Sequence, residues 1–169
     1  MNTSYIVTFI GNDRPGLVEE LSQIIEQHDG NWQESRLSQL GGKFAGLILV
    51  SLPQGQVESL DAALAVLSAK GLSVQVSTSG EAPAPGPGRN ITLTVMGPDR
   101  PGIVREISQA LAQRQINVQE MDSEVSPAPM SAELIFRASI CARVPQDRDL
   151  DDLSDRLEDI ANQMTLEIE

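Results

Sequence analysis

Gly11-Asn12-Asp13-Arg14-Pro15-Gly16 returns as Gly97-Pro98-Asp99-Arg100-Pro101-Gly102, and this doubled hexapeptide decides how the chain is read. At a constant offset of 86, without a gap, the window 8–34 matches 94–120 at 14 of 27 positions. The matches are Thr8, Gly11, Asp13, Arg14, Pro15, Gly16, Val18, Glu20, Ser22, Gln23, Gln27, Asn31, Gln33 and Glu34. Identity that dense reports an internal duplication. The 169 residues therefore divide into two small units instead of forming one domain.

Each hexapeptide stands between a strand pattern and a helix pattern. Tyr5, Val7 and Phe9 alternate with Ile6, Thr8 and Ile10 before Gly11, and Ile91 to Met96 repeats the arrangement before Gly97. Beyond the second glycine, Leu17, Val18, Leu21, Ile24 and Ile25 form a helical stripe, matched by Ile103, Val104, Ile107, Ala110 and Leu111. Between them, Asp13 and Asp99 are candidate caps for free backbone N–H groups, and Pro15 and Pro101 suit a first helical turn. Gly16 and Gly102 allow a backbone or a ligand to come close.

After the first helix, Asn31 to Leu40 and Lys43 to Leu52 read as a hairpin about Gly41-Gly42. Val57, Leu60, Leu64 and Leu67 mark a second helix, Gly71 ends it, and Leu72 to Ser77 supplies a last strand. Gly80 to Gly88 (Gly-Glu-Ala-Pro-Ala-Pro-Gly-Pro-Gly) is too rich in Pro and Gly for a helix or central strand. The expected organisation is thus unit 1 over 1–79, a connector over 80–88 and unit 2 over 89–169. In unit 2 the hairpin carries Ser126-Pro127-Ala128-Pro129, and Leu150, Leu153, Leu157 and Ile160 repeat the helical stepping. Seven residues have been inserted by that point, in the hairpin and its flanks, where length changes are well tolerated. Thr165 to Ile168 reads as the final strand. Two βαββαβ units predict an α+β protein: two ferredoxin-like units, each a four-stranded antiparallel sheet with two helices on one face.

Composition narrows the function. With 24 acidic and 12 basic residues the net charge is -12, and five aromatic side chains leave few stacking platforms, so direct nucleic-acid binding is disfavoured. A single cysteine, Cys141, excludes an internal disulfide framework and fits a reducing cytoplasm, where the chain is expected. His28 has no Cys or His partner nearby, so no metal site is expected, and no cofactor is called for. One His and one Cys offer no convincing nucleophile-and-base set, and no phosphate-cradling Gly-x-x-x-x-Gly-Lys loop is present, so no catalytic residue is proposed. Neither a signal peptide nor an apolar run of membrane-spanning length is expected.

The Gly-x-Asp-Arg-Pro-Gly-[Leu/Ile]-Val segment, opening the first helix of a βαββαβ unit and followed by Asn31 or Asn117, resembles an ACT domain. The acidic tandem pair, without an attached catalytic domain, is most similar to the glycine cleavage system transcriptional repressor family. That resemblance implies a small regulatory protein, not an enzyme, that senses glycine or a related amino acid such as serine. It further implies action through a DNA-binding transcriptional activator protein, and a homodimer. Ligands of ACT regulators lie where two units meet, near this loop and this Asn. The resemblance therefore implicates Gly11, Asp13, Gly16 and Asn31, and Gly97, Asp99, Gly102 and Asn117. Many amino-acid-binding ACT units carry Asn where Asp13 and Asp99 stand.

The chemistry fits an amino acid: helix-start N–H groups favour a carboxylate, Asp13 or Asp99 could take the ammonium, and Asn31 or Asn117 could bond either group. The same residues also suit a plain strand-to-helix turn, with Asp as cap and Arg14 or Arg100 in solvent. Other readings stay open: an ACT-type interaction module without a small-molecule ligand, or a stand-alone regulatory subunit of an amino-acid metabolic enzyme. The segment 147–169 has nine acidic and two basic residues, a solvated helix face or a docking face for a basic partner.

Overall fold

The computed structural model describes residues 1–80 and 86–169. Most of the expected connector 80–88 lies outside the described residues. The chain divides into two compact units, residues 1–82 and 83–169.

Unit 1 runs β1 (Asn2–Asn12), α1 (Leu17–Gln27), β2 (Asn31–Leu40), β3 (Lys43–Pro53), α2 (Val57–Ala65) and β4 (Leu72–Thr78). Its sheet has the order β2-β3-β1-β4, with every neighbour antiparallel. Unit 2 repeats this with β5 (Gly88–Pro98), α3 (Ile103–Ala112), β6 (Asn117–Pro127), β7 (Leu134–Pro145), α4 (Asp151–Ile160) and β8 (Gln163–Ile168), in the order β6-β7-β5-β8. Both are the expected ferredoxin-like arrangement. β5 begins at Gly88, the last residue of the expected connector.

Alternation assigns the two faces of each sheet. Val7 and Phe9 of β1, with Ile48 and Val50 of β3, pack against Leu17, Leu21 and Ile25 of α1 and Leu60 and Leu64 of α2 in one core. Leu93, Val95, Ala138 and Ile140 meet Ile103, Ile107, Leu153 and Leu157 in the other. Trp32 packs against the unit 1 core. The lone His28 stands at the end of α1, where its ring Nδ1 lies 2.7 Å from the Ile24 carbonyl oxygen.

A shared irregularity accounts for part of the sequence repeat. The register of β2 on β3 shifts between Trp32 and Glu34, and that of β6 on β7 between Val118 and Glu120. The extra residue is Gln33 in one unit and Gln119 in the other, both among the matched positions. A bulge fixes where pairing restarts, which sets the register of the whole hairpin.

The hairpin tips then diverge. Gly41 and Gly42 turn with φ of 60° and 78°. In unit 2 the turn is closed instead by Ala128 N–H donating to the Glu133 carbonyl at 2.8 Å. Gly11 pairs with Phe44 and Gly97 with Phe136, so the offset of 86 before the hairpin has become 92 within it. Six of the seven inserted residues are therefore in the hairpin itself.

Candidate functional site

The corner between β1 and α1 is built by two glycines with different duties. Gly11 is buried where β1 lies beside the start of β4. A Cβ there would stand 2.7 Å from Leu72 Cδ1 and 3.0 Å from the Gly71 carbonyl oxygen. At Gly97 the corresponding Cβ would stand 3.0 Å from the Asn162 nitrogen and 3.1 Å from Ala161 Cα. Tight packing explains both residues without a ligand.

Gly16 and Gly102 are the caps of α1 and α3, in the left-handed region with φ of 84° and 85°. Their carbonyls accept the first helical bonds, from Glu20 N–H at 2.9 Å and Glu106 N–H at 3.0 Å. No side chain caps either helix. The expected Asp caps are thus replaced by glycine: a residue must turn through positive φ directly before the helix, and glycine does so without Cβ strain. Asp13 instead is exposed, accepts a hydrogen bond from Gln39 Nε2 at 3.0 Å, and donates its backbone N–H to the Gly42 carbonyl at 3.3 Å. Pro15 and Pro101 precede the caps, outside the first helical turn where sequence placed them.

With no side chain on the helix start, the first-turn N–H groups of α1 remain available to an anion. The same turn borders a cavity of about 340 Å³ lined by Asp13, Arg14, Gly16, Leu17, Val18, Glu19 and Phe44. The site offers helix-start donors, two carboxylates and an apolar wall, a combination suited to a small zwitterion.

Arg14 is not free to supply a carboxylate clamp. Its guanidinium is ion-paired to Glu20 of α1, whose other oxygen receives Lys70 Nζ at 3.0 Å. Arg100 repeats the pairing with Glu106 and also donates to the Ile160 carbonyl at 3.3 Å. Hydrogen bonds from Arg14, then from Lys70, hold the Glu20 carboxyl below the ordinary value of 4.5. A depressed folded-state value adds stability that is complete above about 4.5 and is lost as pH falls through the lower folded value. Glu20→Gln should therefore flatten the acid limb of unit 1 stability while leaving its slope near neutrality unchanged. Urea midpoints measured from pH 3 to 7 test this; an identical acid limb in the variant would count against the pairing.

Asn31 and Asn117 do not join these corners within their own units. Gly11 aligns with Phe44 and Asn31 with Ser51, seven residues apart along β3, which is about 24 Å at the usual rise. The second unit separates Gly97 from Asn117 by the same span, Phe136 to Arg143. Glu20, Glu106 and Phe44 were missed as corner residues. The repeat carried a signal for the first two, since Glu20 and Glu106 are matched positions.

Comparison with known proteins sets this geometry in context. Residues 3–79 and residues 91–162 each match the ACT domain. The glycine cleavage system transcriptional repressor of Escherichia coli (strain K12) is 22% identical over 145 residues, covering 85% of this chain and 76% of that protein. The crystal structure of an unknown protein from Galdieria sulphuraria superposes with a TM-score of 0.79 at 27% identity, covering 100% of this chain and 98% of the other. A candidate glycine cleavage system transcriptional repressor of known structure gives a TM-score of 0.69 at 21% identity, with 100% and 98% covered, and supports the fold.

Proposed function

Because the chain belongs to the ACT-domain family, with two such domains in tandem, we propose that it is a non-catalytic regulator that senses a small amino acid, glycine foremost. The observation that carries this is the unit 1 corner: a cavity of about 340 Å³ at a helix start capped only by glycine, with Asp13 in its lining. The ligand carboxylate lies on the first-turn N–H groups of α1, and Asp13 receives the ammonium. Serine is the next candidate. The corner of unit 2, with Asp99 and Gly102, is the second such site, and Pro98 in place of Asn12 gives it a different strength. Asn31 and Asn117 join a site only from another unit, of the same chain or of a second copy, and the homodimer is part of the proposal.

Relatedness to a repressor of the glycine cleavage system supports transcriptional control of glycine cleavage genes as the output. A net charge of -12 leaves the reading of DNA to a protein partner, a DNA-binding activator in the cytoplasm. Ligand shifts partner affinity only by its own differential affinity for the two states.

A thermal-shift screen of the amino acids tests the reading. Ligand at about a hundred times its dissociation constant adds about 2.7 kcal/mol, a rise of roughly 10–20 degrees for a unit this small. A selective rise with glycine that Asp13→Ala removes is the expected result. No rise with any amino acid would leave the corners as structural turns.

A further inference from the structure

We propose that unit 2 carries a separate small-molecule site on the helix-free face of its sheet, built for an apolar molecule with a carboxylate and no amine. A cavity of about 330 Å³ lies there, walled by Met96, Pro98, Pro127, Pro129, Ile135 and Arg137. Register places it. Met96 pairs with Arg137 and Pro98 with Ile135, two positions on, so all four share one face. The neighbouring pairs put buried Ala138 and Phe136 on the opposite, helix-covered face. The cavity therefore opens away from α3, and Asp99 and Gly102 are not part of its lining.

The unit 1 counterpart shows what the insertion changed. Where unit 2 has Met96 opposite Arg137, unit 1 has Ile10 opposite Ala45, and its hairpin closes in the two glycines Gly41 and Gly42. Longer by six residues, the unit 2 hairpin supplies Pro127 and Pro129 to the cavity wall, and its tip is tied by Ala128 N–H to the Glu133 carbonyl at 2.8 Å. Two prolines restrict that wall before any ligand arrives, which lowers the ordering cost of binding.

Ligand class follows from the charges. Arg137 is half exposed, and it is held only weakly, by Glu124 Oε1 at 3.5 Å and the Met96 thioether at 3.2 Å. Its planar fork suits a carboxylate held bidentately. Ser126, Asn162 and Gln163 add neutral polar groups, and among the described residues no carboxylate side chain lines the cavity. Among the described lining residues an ammonium would find no counter-charge, and Glu124 is already paired to Arg137, in contrast to the unit 1 corner with Asp13 and Glu19. The volume is at the small end of ligand sites, which suits a metabolite such as a branched or aromatic 2-oxo acid.

Calorimetric titration of the full chain with phenylacetate and 4-methyl-2-oxopentanoate, beside phenylalanine and leucine, tests this. The acids should bind, and their amine-bearing counterparts should bind about tenfold more weakly or not at all at this site. Arg137→Gln should weaken the acids by about tenfold or more, and Arg137→Lys by less, because charge survives without the fork. Ala128→Trp, which puts a large side chain on the cavity wall, should abolish binding with Arg137 intact. Asp13→Ala should leave acid binding unchanged, which separates this site from the amino-acid corner. No heat with either acid at millimolar concentration, or equal affinity in the folded Arg137→Gln protein, would overturn the proposal.

Discussion

Gly46→Val should destabilise unit 1 by about 3 kcal/mol or more, the upper range for overpacking, and should do so by prising β2 off the sheet. A Cβ at Gly46 would stand 2.4 Å from the Arg36 carbonyl oxygen and 2.4 Å from Leu37 Cδ2. The first of these is backbone in the neighbouring strand and cannot rotate away. Within the unit, β2 is an edge strand that pairs only with β3, so no second neighbour holds it in place. Relief comes by moving the strand, and Trp32 and Leu37 then lose their packing on the core. Limited proteolysis should cut within β2 in the variant and spare it in the parent, and the urea midpoint of unit 1 should fall. A loss under about 1 kcal/mol would mean that β2 accommodates a side chain there.

Leu21→Ala should cost unit 1 about 2–5 kcal/mol. Leu21 is 0% exposed, at the centre of the α1 stripe between Leu17 and Ile25, and its removal leaves a void that two layers of secondary structure cannot both close. Small domains hold only about 5–15 kcal/mol in all, so the variant approaches the limit of folding. Circular dichroism of the isolated segment 1–79 follows the loss directly. Ile107→Ala in unit 2, also nearly sealed at 1% exposed, is the matched case and should behave alike. A change under about 1 kcal/mol in either would show that the helix relaxes onto the sheet.

Much of the fold was legible because its signals are local and were given twice. Strand alternation in Tyr5 to Ile10, the helical spacing of Leu17, Leu21 and Ile25, and the Gly41-Gly42 turn each depend on a few neighbouring residues. Gly71 likewise ends its helical segment in the left-handed conformation, φ 83°. What stayed hidden depends on partners distant in sequence. Gly11 reads as a loop glycine until Leu72 is seen beside it, and Gly46 carries no local mark at all, since its constraint is the carbonyl of Arg36 across the hairpin. Asp13 looks like a cap by residue type, yet Gly16 lies between it and the first helical residue. The separation of Asn31 from the corner follows from antiparallel register, which sequence proximity disguises. The unit 2 cavity needed both kinds of information. Its prolines were visible as an altered turn, but the pairing of Arg137 with Met96 was not.

The glycine caps also act on a timescale. A side-chain cap would occupy one of the first-turn amides of α1 permanently, whereas Gly16 leaves them to solvent whenever the corner is empty. In the proposed site a bound carboxylate would protect the amides of Leu17, Val18 and Glu19, so their hydrogen exchange would report the ligand and not the unfolding of the helix behind them. Gly102 leaves Val104 and Arg105 in the same position in α3, whereas the Ile103 N–H donates to the Arg100 carbonyl at 3.3 Å. Each proposed corner would so carry its own reporter of occupancy, readable by deuterium uptake without a partner or a change in shape.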